Sequence, residues 1–234
     1  RAPIGQNLRM HPSGHAVGVF EEEIVPWEGV TQGYHCLEFM DQGTKIEDLW
    51  ASPGIFALRF PALGEQFCDY LSRYRNMAVI AGWVGGEDSV GRVRALPGGY
   101  VDTVYDIGEA DVRRLHQLAV SMGEILFAGG AKEVLMRFGG PSPALRSVDD
   151  LHRRVRDMPC TVGHLSIPSN HCFGTVPMGA DPKTSATDSW GKVWDVEHLY
   201  VCDTSLFPVS SGSNPMHPAM ALADRQAEEL LRRY

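Results

Sequence analysis

The chain has 234 residues, of which 44% are hydrophobic and 21% are charged, as in an ordinary globular protein with one large domain or two smaller ones. Its formal net charge of −8 leaves no basic excess with which to neutralise phosphates, so nucleic acid and anionic membranes are not expected as partners. No apolar run approaches the roughly 18 residues of a membrane span.

The cysteines indicate reduced thiols, because they are odd in number, scattered and never spaced as CxxC. They are Cys36, Cys68, Cys160, Cys172 and Cys202. This pattern favours a cytoplasmic setting and predicts no metal site. A serine hydrolase is not expected either, since the sequence has no G-x-S-x-G motif.

The first half of the chain predicts an antiparallel sheet with helices beside it. In chain order the predicted elements are strands at 16–20, 32–39 and 54–60, a helix at 62–76, and strands at 77–84, 90–96 and 100–105. The strand at 54–60 rests on a continuous apolar run stopped by Pro61, and the helix on apolar residues at helical spacing. Residues 85–88, Gly-Gly-Glu-Asp, indicate a hairpin connection.

The second half predicts further helices and strands, and becomes dense in Gly, Pro and Ser after about residue 159. The predicted elements are a helix between Asp106 and Gly129, a strand at 133–136, a helix at 147–158, a strand at 161–167, a buried strand at 199–202 and a helix after Pro215. Asp106 and Glu109 have the spacing of a capping box. Gly129 and Gly130 indicate the end of the same helix.

His171 is a candidate general base, because it lies in a loop, and a histidine in a loop can titrate near neutrality and reach a ligand. Taken alone, such a histidine is more often structural. His164, in the predicted strand at 161–167, is interpreted as a packed or hydrogen-bonded residue.

Three other polar residues each have two interpretations. Asn214 is either the N-cap of the last helix or part of a site at its N-terminus, where backbone amides attract an anion. Asp203, just past the predicted buried strand, either binds a ligand or caps the next turn. His217 is either a neighbour of the cap or a catalytic group, and direct catalysis is better assigned to His171.

A series of motifs runs in order through the last third of the chain. It consists of His171-x-x-Gly174-Thr175-x-x-Met178-Gly179, Asp181-Pro182, Asp188, Gly191-Lys192-Val193, Leu199-Tyr200-Val201-x-Asp203-x-Ser205-x-x-Pro208, Asn214-Pro215 and Ala221-Leu222-Ala223-Asp224-Arg225. This series resembles the C-terminal signature of the glucose-methanol-choline (GMC) flavin oxidoreductases. Residues 5–12, Gly-Gln-Asn-Leu-Arg-Met-His-Pro, resemble the segment that follows the first flavin-binding half in this family.

The resemblance implies roles for individual residues. His171 corresponds to the active-site histidine of the family, and Asn214 to its partner position. The implied FAD-binding residues are Asp203, Thr204, Pro215, Met216 and His217. The first two lie in the segment that approaches the diphosphate and ribityl chain, and the other three lie against the flavin ring.

The resemblance also implies the fold class, α+β or α/β. An antiparallel-sheet substrate-binding domain with flanking helices would cover residues 13–167. Residues 1–12 and 168–234 would belong to a Rossmann-like FAD-binding domain, which the C-terminal strand and helix complete. Aromatic residues of 13–167 are candidates to line an apolar pocket, although core packing is their more common role. They are Tyr34, Phe56, Phe60 and Trp83.

The G-x-G-x-x-G turn that binds the FAD pyrophosphate in this family does not occur in the 234 residues. We therefore expect a C-terminal half whose partner is a second polypeptide that carries this turn. A nicked chain, a split gene or a gap in one chain would each give this arrangement. The loop-like start at Arg1 favours cleavage or a gap.

The expected reaction is the oxidation of a small-molecule alcohol to a carbonyl compound, with hydride transfer to flavin N5. His171 would act as the general base, and Asn214 would orient the substrate oxygen. Two alternatives remain at this point. One is a hydroxynitrile lyase of the same family, in which the flavin is a spectator, and the other is a non-catalytic subunit.

Overall fold

The computed structural model describes residues 3–50, 52–60, 62–137, 143–165 and 167–233. These residues divide into two compact units. The first unit contains the described residues up to His11, Gly85–Asp111 and the residues from Ser169 onward. The second contains Pro12–Val84 and Val112–Pro168. Each unit is therefore assembled from stretches that are distant in sequence.

The fold of the described residues is α+β, with antiparallel pairing between its strands, as predicted. The strands are β1 (Arg9–Met10), β2 (Ser13–Val19), β3 (His35–Cys36), β4 (Thr44–Leu49), β5 (Met77–Val84), β6 (Val90–Ala95), β7 (Val101–Asp106), β8 (Glu133–Met136) and β9 (Cys172–Phe173). The α-helices are α1 (Pro53–Arg59), α2 (Gly64–Ser72), α3 (Glu109–Ala128), α4 (Val148–Asp157) and α5 (Met216–Arg233).

A five-stranded sheet in the order β3-β4-β5-β2-β8 organises the second unit. Successive side chains of a strand point to opposite faces, so Ala16 and Val17 of β2 enter different hydrophobic clusters. The cluster that contains Ala16 also contains the apolar stripe of α3, including Leu118. The cluster that contains Val17 includes Phe56 of α1 and Tyr70 of α2. Helices therefore cover both faces of the sheet.

Glycine lets α3 approach this sheet closely. A Cβ atom added at Gly82 would lie 2.7 Å from Cδ1 of Leu118, and one at Gly18 would lie 2.9 Å from Cδ2 of Leu126. Carbon atoms are not found at such distances without a shift of one of them. The separation between helix and sheet therefore depends on glycine at these two strand positions.

Two short ladders and α5 form the first unit. Strand β1 pairs with β9, and β6 pairs with β7. Gln226 anchors α5, because its buried Nε2 donates to the carbonyl oxygen of Trp190 at 2.9 Å and of Val201 at 2.7 Å. The guanidinium of Arg225 lies 3.8 Å from the centre of the Trp190 ring.

Most of the predicted elements are confirmed. Strand β5 has the predicted bounds, Met77–Val84. The other confirmed elements agree with their predictions to within a few residues at each end; they are β2, β6, β7, β8, α2, α3, α4 and α5. Among the described residues, no helix combines the length and the hydrophobicity of a transmembrane segment.

Two predictions between residues 54 and 88 are wrong. The apolar run at 54–60 forms helix α1, which begins with Pro53 at its first position, where the fixed φ of proline favours a helix. The segment 85–88 is not a hairpin turn, because β5 pairs with β2 and β4 whereas β6 pairs with β7.

The predicted capping box of α3 is also wrong. The carboxylate of Asp88, rather than that of Asp106, accepts the first amides of this helix. Its Oδ2 accepts from Ala110 at 2.9 Å and its Oδ1 from Asp111 at 3.1 Å. Burial acts to raise the pKa of Asp88, but the hydrogen bonds to its carboxylate together outweigh burial and leave the pKa below its usual value. The cap therefore comes from a residue that local spacing does not identify.

Two further strand predictions fail in the Gly-, Pro- and Ser-rich region. A 3-10 turn, Val162–His164, occupies much of the predicted strand at 161–167. The predicted buried strand at 199–202 is reduced to a single bridge between Lys192 and Tyr200, and the Leu199 side chain is 47% exposed. Its partner is the short segment at 191–193, too short for a longer ladder.

Candidate active site

The pairing of β1 with β9 fixes the position of His171. In this ladder Arg9 lies opposite Phe173, and Met10 lies opposite Cys172. The next pair in this register is His11 and His171, and the backbone N–H of His11 donates to the carbonyl oxygen of His171 at 3.4 Å. The hydroxyl of Ser169 donates to the same oxygen at 3.2 Å. The carbonyl oxygen of His171 therefore has two donors, which hold its backbone in place.

The imidazole rings of His11 and His171 make a direct nitrogen contact. Their Nδ1 atoms are 3.0 Å apart, and the rings meet edge to face with centres 5.1 Å apart. His11 is only 1% exposed, whereas His171 is half-buried. One ring is thus enclosed in the protein and the other has one side toward the surface.

Two aromatic side chains, Phe173 and Phe207, pack next to the His11 side of this pair. The ring of Phe173 lies 4.8 Å from that of His11, centre to centre, and stacks on Phe207 at 5.7 Å. Phe173 is 1% exposed and Phe207 is 7% exposed. Since close-packed rings leave little room for rotation, the imidazole of His11 has a fixed orientation.

The motif near residue 5 and the motif after residue 171 meet in the first unit. The backbone N–H of Gly5 donates to Thr175, and the Asn7 amide donates to the carbonyl oxygen of Pro208 at 2.9 Å. Gly174 has a φ of +78°, and a Cβ atom there would overlap the carbonyl oxygen of Asn7. Glycine is therefore required where these segments cross.

Asp203 and Thr204 begin a 3-10 turn, Thr204–Leu206. The exposed Asp203 carboxylate accepts from the backbone N–H of Ser205 at 2.7 Å. The Thr204 hydroxyl donates to the carbonyl oxygen of Cys172 at 2.8 Å, next to His171. One carboxylate oxygen of Asp203 therefore caps the turn, as one of the two interpretations predicted. The role of Asp203 in FAD binding stays a prediction.

Asn214 lies two residues before the start of α5 at Met216. The carbonyl oxygen of Pro215 accepts the first helical hydrogen bond, from Ala219 at 2.9 Å, so Pro215 rather than Asn214 occupies the capping position. Met216 and His217 are exposed in the first turn, and Asn214 is half-buried. The catalytic assignment of Asn214 stays a prediction, as do the flavin contacts at residues 215–217.

The chemistry of this helix terminus fits a flavin ring. The first turn of α5 contains no acidic residue, so the partial positive charge of its amides is not neutralised locally. An electron-rich ring edge, such as the N1 and C2 carbonyl of a flavin, is favoured at such a terminus. The residues present are therefore compatible with part of an FAD site.

Sequence reasoning placed His171 and six other candidates in this region but missed His11. All seven predicted residues lie in the first unit. A direct contact joins His171 to His11, and a hydrogen bond joins Thr204 to Cys172, the residue after His171. The available signal was the segment at 5–12, which contains His11. Its 160-residue separation from His171 gives no local pattern that would pair them.

A separate cavity of about 90 Å³ lies within the second unit. Its lining is mainly apolar, with Leu115, Met122 and Ile167, and includes His15 and Arg137. The aromatic pocket candidates have other positions. Phe56, Phe60 and Trp83 are core residues, and Tyr34 is 84% exposed; they do not line this cavity.

Comparison with protein families gives a match over much of the chain. The model of the GMC oxidoreductase family matches residues 88–223. An uncharacterized GMC-type oxidoreductase of Mycobacterium tuberculosis is 32% identical over 229 residues, which are 97% of this chain and 35% of that protein. A long-chain-alcohol oxidase of Arabidopsis thaliana is 30% identical over 255 residues, covering 98% and 33%. The chain spans about a third of the length of these relatives.

Solved structures share the fold. Pyridoxine 4-oxidase from Mesorbium loti has a TM-score of 0.63 at 16% identity, covering 99% of this chain and 44% of that chain. A formate oxidase variant of Aspergillus oryzae, from work on FAD modification, has a TM-score of 0.64 at 13% identity and covers 99% and 48%. At such identities the likeness concerns the fold alone.

Proposed function

Because this chain belongs to the GMC oxidoreductase family, whose cofactor is FAD, we propose that it supplies the acid–base residues of an enzyme that oxidises an alcohol CH–OH group to a carbonyl. The observation that carries this proposal is the placement of His171. Its half-buried ring is fixed by the ladder of β1 and β9 and by the contact with His11.

In the proposed reaction His171 accepts the hydroxyl proton of the alcohol. Since Nδ1 faces His11, Nε2 is the nitrogen that serves as the base. A fixed imidazole of this kind contributes roughly 10²- to 10⁴-fold to a rate. FAD, when bound, supplies the oxidant that takes the hydride from the substrate carbon.

The other residues of the first unit position the substrate and the cofactor. Asn214 donates a hydrogen bond to the substrate oxygen and so fixes its orientation toward His171. Residues 215–217 would hold the flavin ring at the positive end of α5. Asp203 and Thr204 would hold the ribityl chain and diphosphate, where the second carboxylate oxygen of Asp203 could accept from a hydroxyl.

FAD binding also requires a polypeptide with the G-x-G-x-x-G turn, which these 234 residues lack. We include this polypeptide in the proposal, either as a separate chain or as the remainder of a longer one. The relatives, of which this chain spans about a third, are compatible with that arrangement.

The test is anaerobic mixing of the FAD-loaded protein, assembled with the polypeptide that carries this turn, with primary aliphatic alcohols of increasing length. These probes are chosen because one relative is a long-chain-alcohol oxidase. We expect substrate-dependent bleaching of the oxidised flavin. A lyase would leave the flavin oxidised while it consumes a cyanohydrin.

The variant His171→Ala should slow this bleaching by roughly 10²- to 10⁴-fold. A suitable control is His164→Ala, which removes an exposed histidine of the second unit and should bleach at the wild-type rate. Bleaching by His171→Ala at the wild-type rate would refute the assignment of the base. FAD that loads onto the isolated 25.8 kDa chain in stoichiometric amount would refute the need for the second polypeptide.

A further inference from the structure

The contact between His11 and His171 can be made in two ways, and they differ chemically. Two nitrogen atoms 3.0 Å apart need one N–H donor and one lone pair. Either His171 donates from Nδ1 to His11, or His11 donates from Nδ1 to His171. In a neutral imidazole only one nitrogen carries a proton, so this choice also decides the state of Nε2 in His171.

Only one of these arrangements lets Nε2 of His171 accept a proton. If His171 donates from Nδ1, its Nε2 carries the lone pair. If His11 donates instead, the neutral His171 ring carries its proton on Nε2, which then is not a base. The same argument holds after proton uptake, because an imidazolium donates from both nitrogens and its Nδ1–H needs an acceptor.

His11 is suited to remain that acceptor. It is 1% exposed and lies against Phe173, and burial against apolar groups disfavours the charged form of an imidazole. Its backbone is held to His171 by the register of β1 and β9, so the two backbones cannot move apart without breaking this ladder. A neutral, fixed ring beside His171 sets the tautomer of its neighbour.

Resting on the proposed function, we propose that His11 is a positioning residue that fixes His171 as the Nδ1–H tautomer. The N–H of His171 Nδ1 donates to the Nδ1 lone pair of His11, and the Nε2 lone pair of His171 takes the hydroxyl proton of the alcohol. The proton stays on Nε2 while the substrate carbon is oxidised. His11 neither gains nor loses a proton in this step.

The experiment measures the ring ¹⁵N signals of His171 in the histidine-labelled chain, loaded with FAD in assembly with the polypeptide that carries the G-x-G-x-x-G turn. The signals are assigned by their loss in His171→Gln. In the wild type we expect a protonated Nδ1 and an unprotonated Nε2 at neutral pH. The variant His11→Asn should keep this tautomer, since its side-chain oxygen can occupy the place of Nδ1 and accept the same hydrogen bond. The variant His11→Phe keeps a buried ring without an acceptor and should give a mixture of tautomers.

Flavin reduction provides the second readout. We expect a rate within about threefold of wild type for His11→Asn and a loss of roughly 10- to 100-fold for His11→Phe, as for other groups that orient a functional histidine. Should His11→Phe fail to fold, as judged by thermal unfolding, His11→Gln replaces it, because the longer side chain places its oxygen near Nε2 rather than Nδ1.

Two results would overturn the proposal: a wild-type His171 protonated on Nε2, or an unchanged tautomer in the variant that lacks the acceptor. The proposed function fails separately. If His171→Gln reduced flavin at the wild-type rate, His171 would not be the base, whereas the tautomer measured in the wild type would still test the role of His11.

Discussion

The carboxylate of Asp88 accepts the backbone N–H of Asp111, 23 positions later in the chain, at 3.1 Å. The same carboxylate accepts the N–H of Ala110, so one side chain satisfies two of the amides that a helix leaves unbonded at its N-terminus. The stability of α3 therefore depends on a residue outside the segment that forms it.

Replacing Asp88 by Ala should lower the free energy of unfolding by about 1–2 kcal/mol, the usual cost of losing an N-cap. Asp106→Ala is the matched control, because Asp106 has the capping-box spacing but does not make these hydrogen bonds; it should change stability by less than about 0.5 kcal/mol. Urea unfolding of both variants at neutral pH measures the difference. Equal losses would contradict the assignment of the cap.

The close approach of α3 to the sheet predicts that Gly82→Ala is destabilising. The added methyl group would lie 2.7 Å from Leu118, and overpacking of this kind costs about 1–3 kcal/mol. Gly54→Ala serves as the control, because a Cβ at Gly54 has no atom within 4 Å and Gly54 lies in helix α1. For Gly54→Ala we expect no loss of stability, or a gain of up to about 1 kcal/mol in the free energy of unfolding. A stabilising Gly82→Ala in thermal unfolding would show that the helix lies farther from the sheet.

Tyr70 links α2 to β8, since its hydroxyl donates to Oε2 of Glu133 at 2.7 Å. Burial and this hydrogen bond raise the pKa of Tyr70 from 10.0 to about 12. The folded state holds the phenolic proton more tightly than the unfolded state. The contribution of this hydrogen bond to the free energy of unfolding is therefore complete below pH 10 and is lost as the pH rises toward 12. We expect the wild type to lose stability between pH 10 and 12 more steeply than Tyr70→Phe, as measured by urea midpoints. Parallel profiles for the two proteins would argue against the raised pKa.

The hydrogen bonds of Gln226 hold α5 against the rest of the first unit, so replacing this residue should destabilise the helix. In Gln226→Leu the carbonyl oxygens of Trp190 and Val201 both lose their donor, which should cost about 1–3 kcal/mol because these groups are partly buried. Glu228→Gln weakens only an exposed ion pair with Arg232 and should stay within about 0.5 kcal/mol of wild type. Hydrogen exchange of the α5 amides, compared between the two variants, locates the loss. Wild-type protection in Gln226→Leu would mean that other contacts hold the helix.

The success of sequence-based prediction depended on how local each signal was. Strand β5 was predicted with its bounds, because its run of apolar residues is buried along its length. Strand β4 was missed, since its buried positions include Lys45 and Glu47. These two form an ion pair at 3.6 Å, and the Lys45 ammonium lies over the ring of Trp83. Charged residues that are buried and paired look like surface residues in a sequence.

The same distinction between local signals and tertiary contacts applies to the candidate site. His171 and Asn214 were found by an ordered series of motifs, whereas the neighbour of His171 was not, because His11 reaches it only through the ladder of β1 and β9. The helix α1 was misread as a strand, since a short run that is apolar except for Arg59 shows neither a clear period of two nor one of 3.6. Tertiary context, absent from the local pattern, decided these cases.

The ladder that joins His11 to His171 also constrains the order of folding. Its strands, β1 and β9, contain two residues each and are separated in sequence by most of the chain. Closing so long a loop has a large entropic cost, and the short ladder offers few hydrogen bonds to offset it. Contacts of such long sequence separation form late. We expect the histidine pair to assemble only after the five-stranded sheet has drawn the two ends of its loop together, so that the acid–base site is among the last parts of the chain to mature.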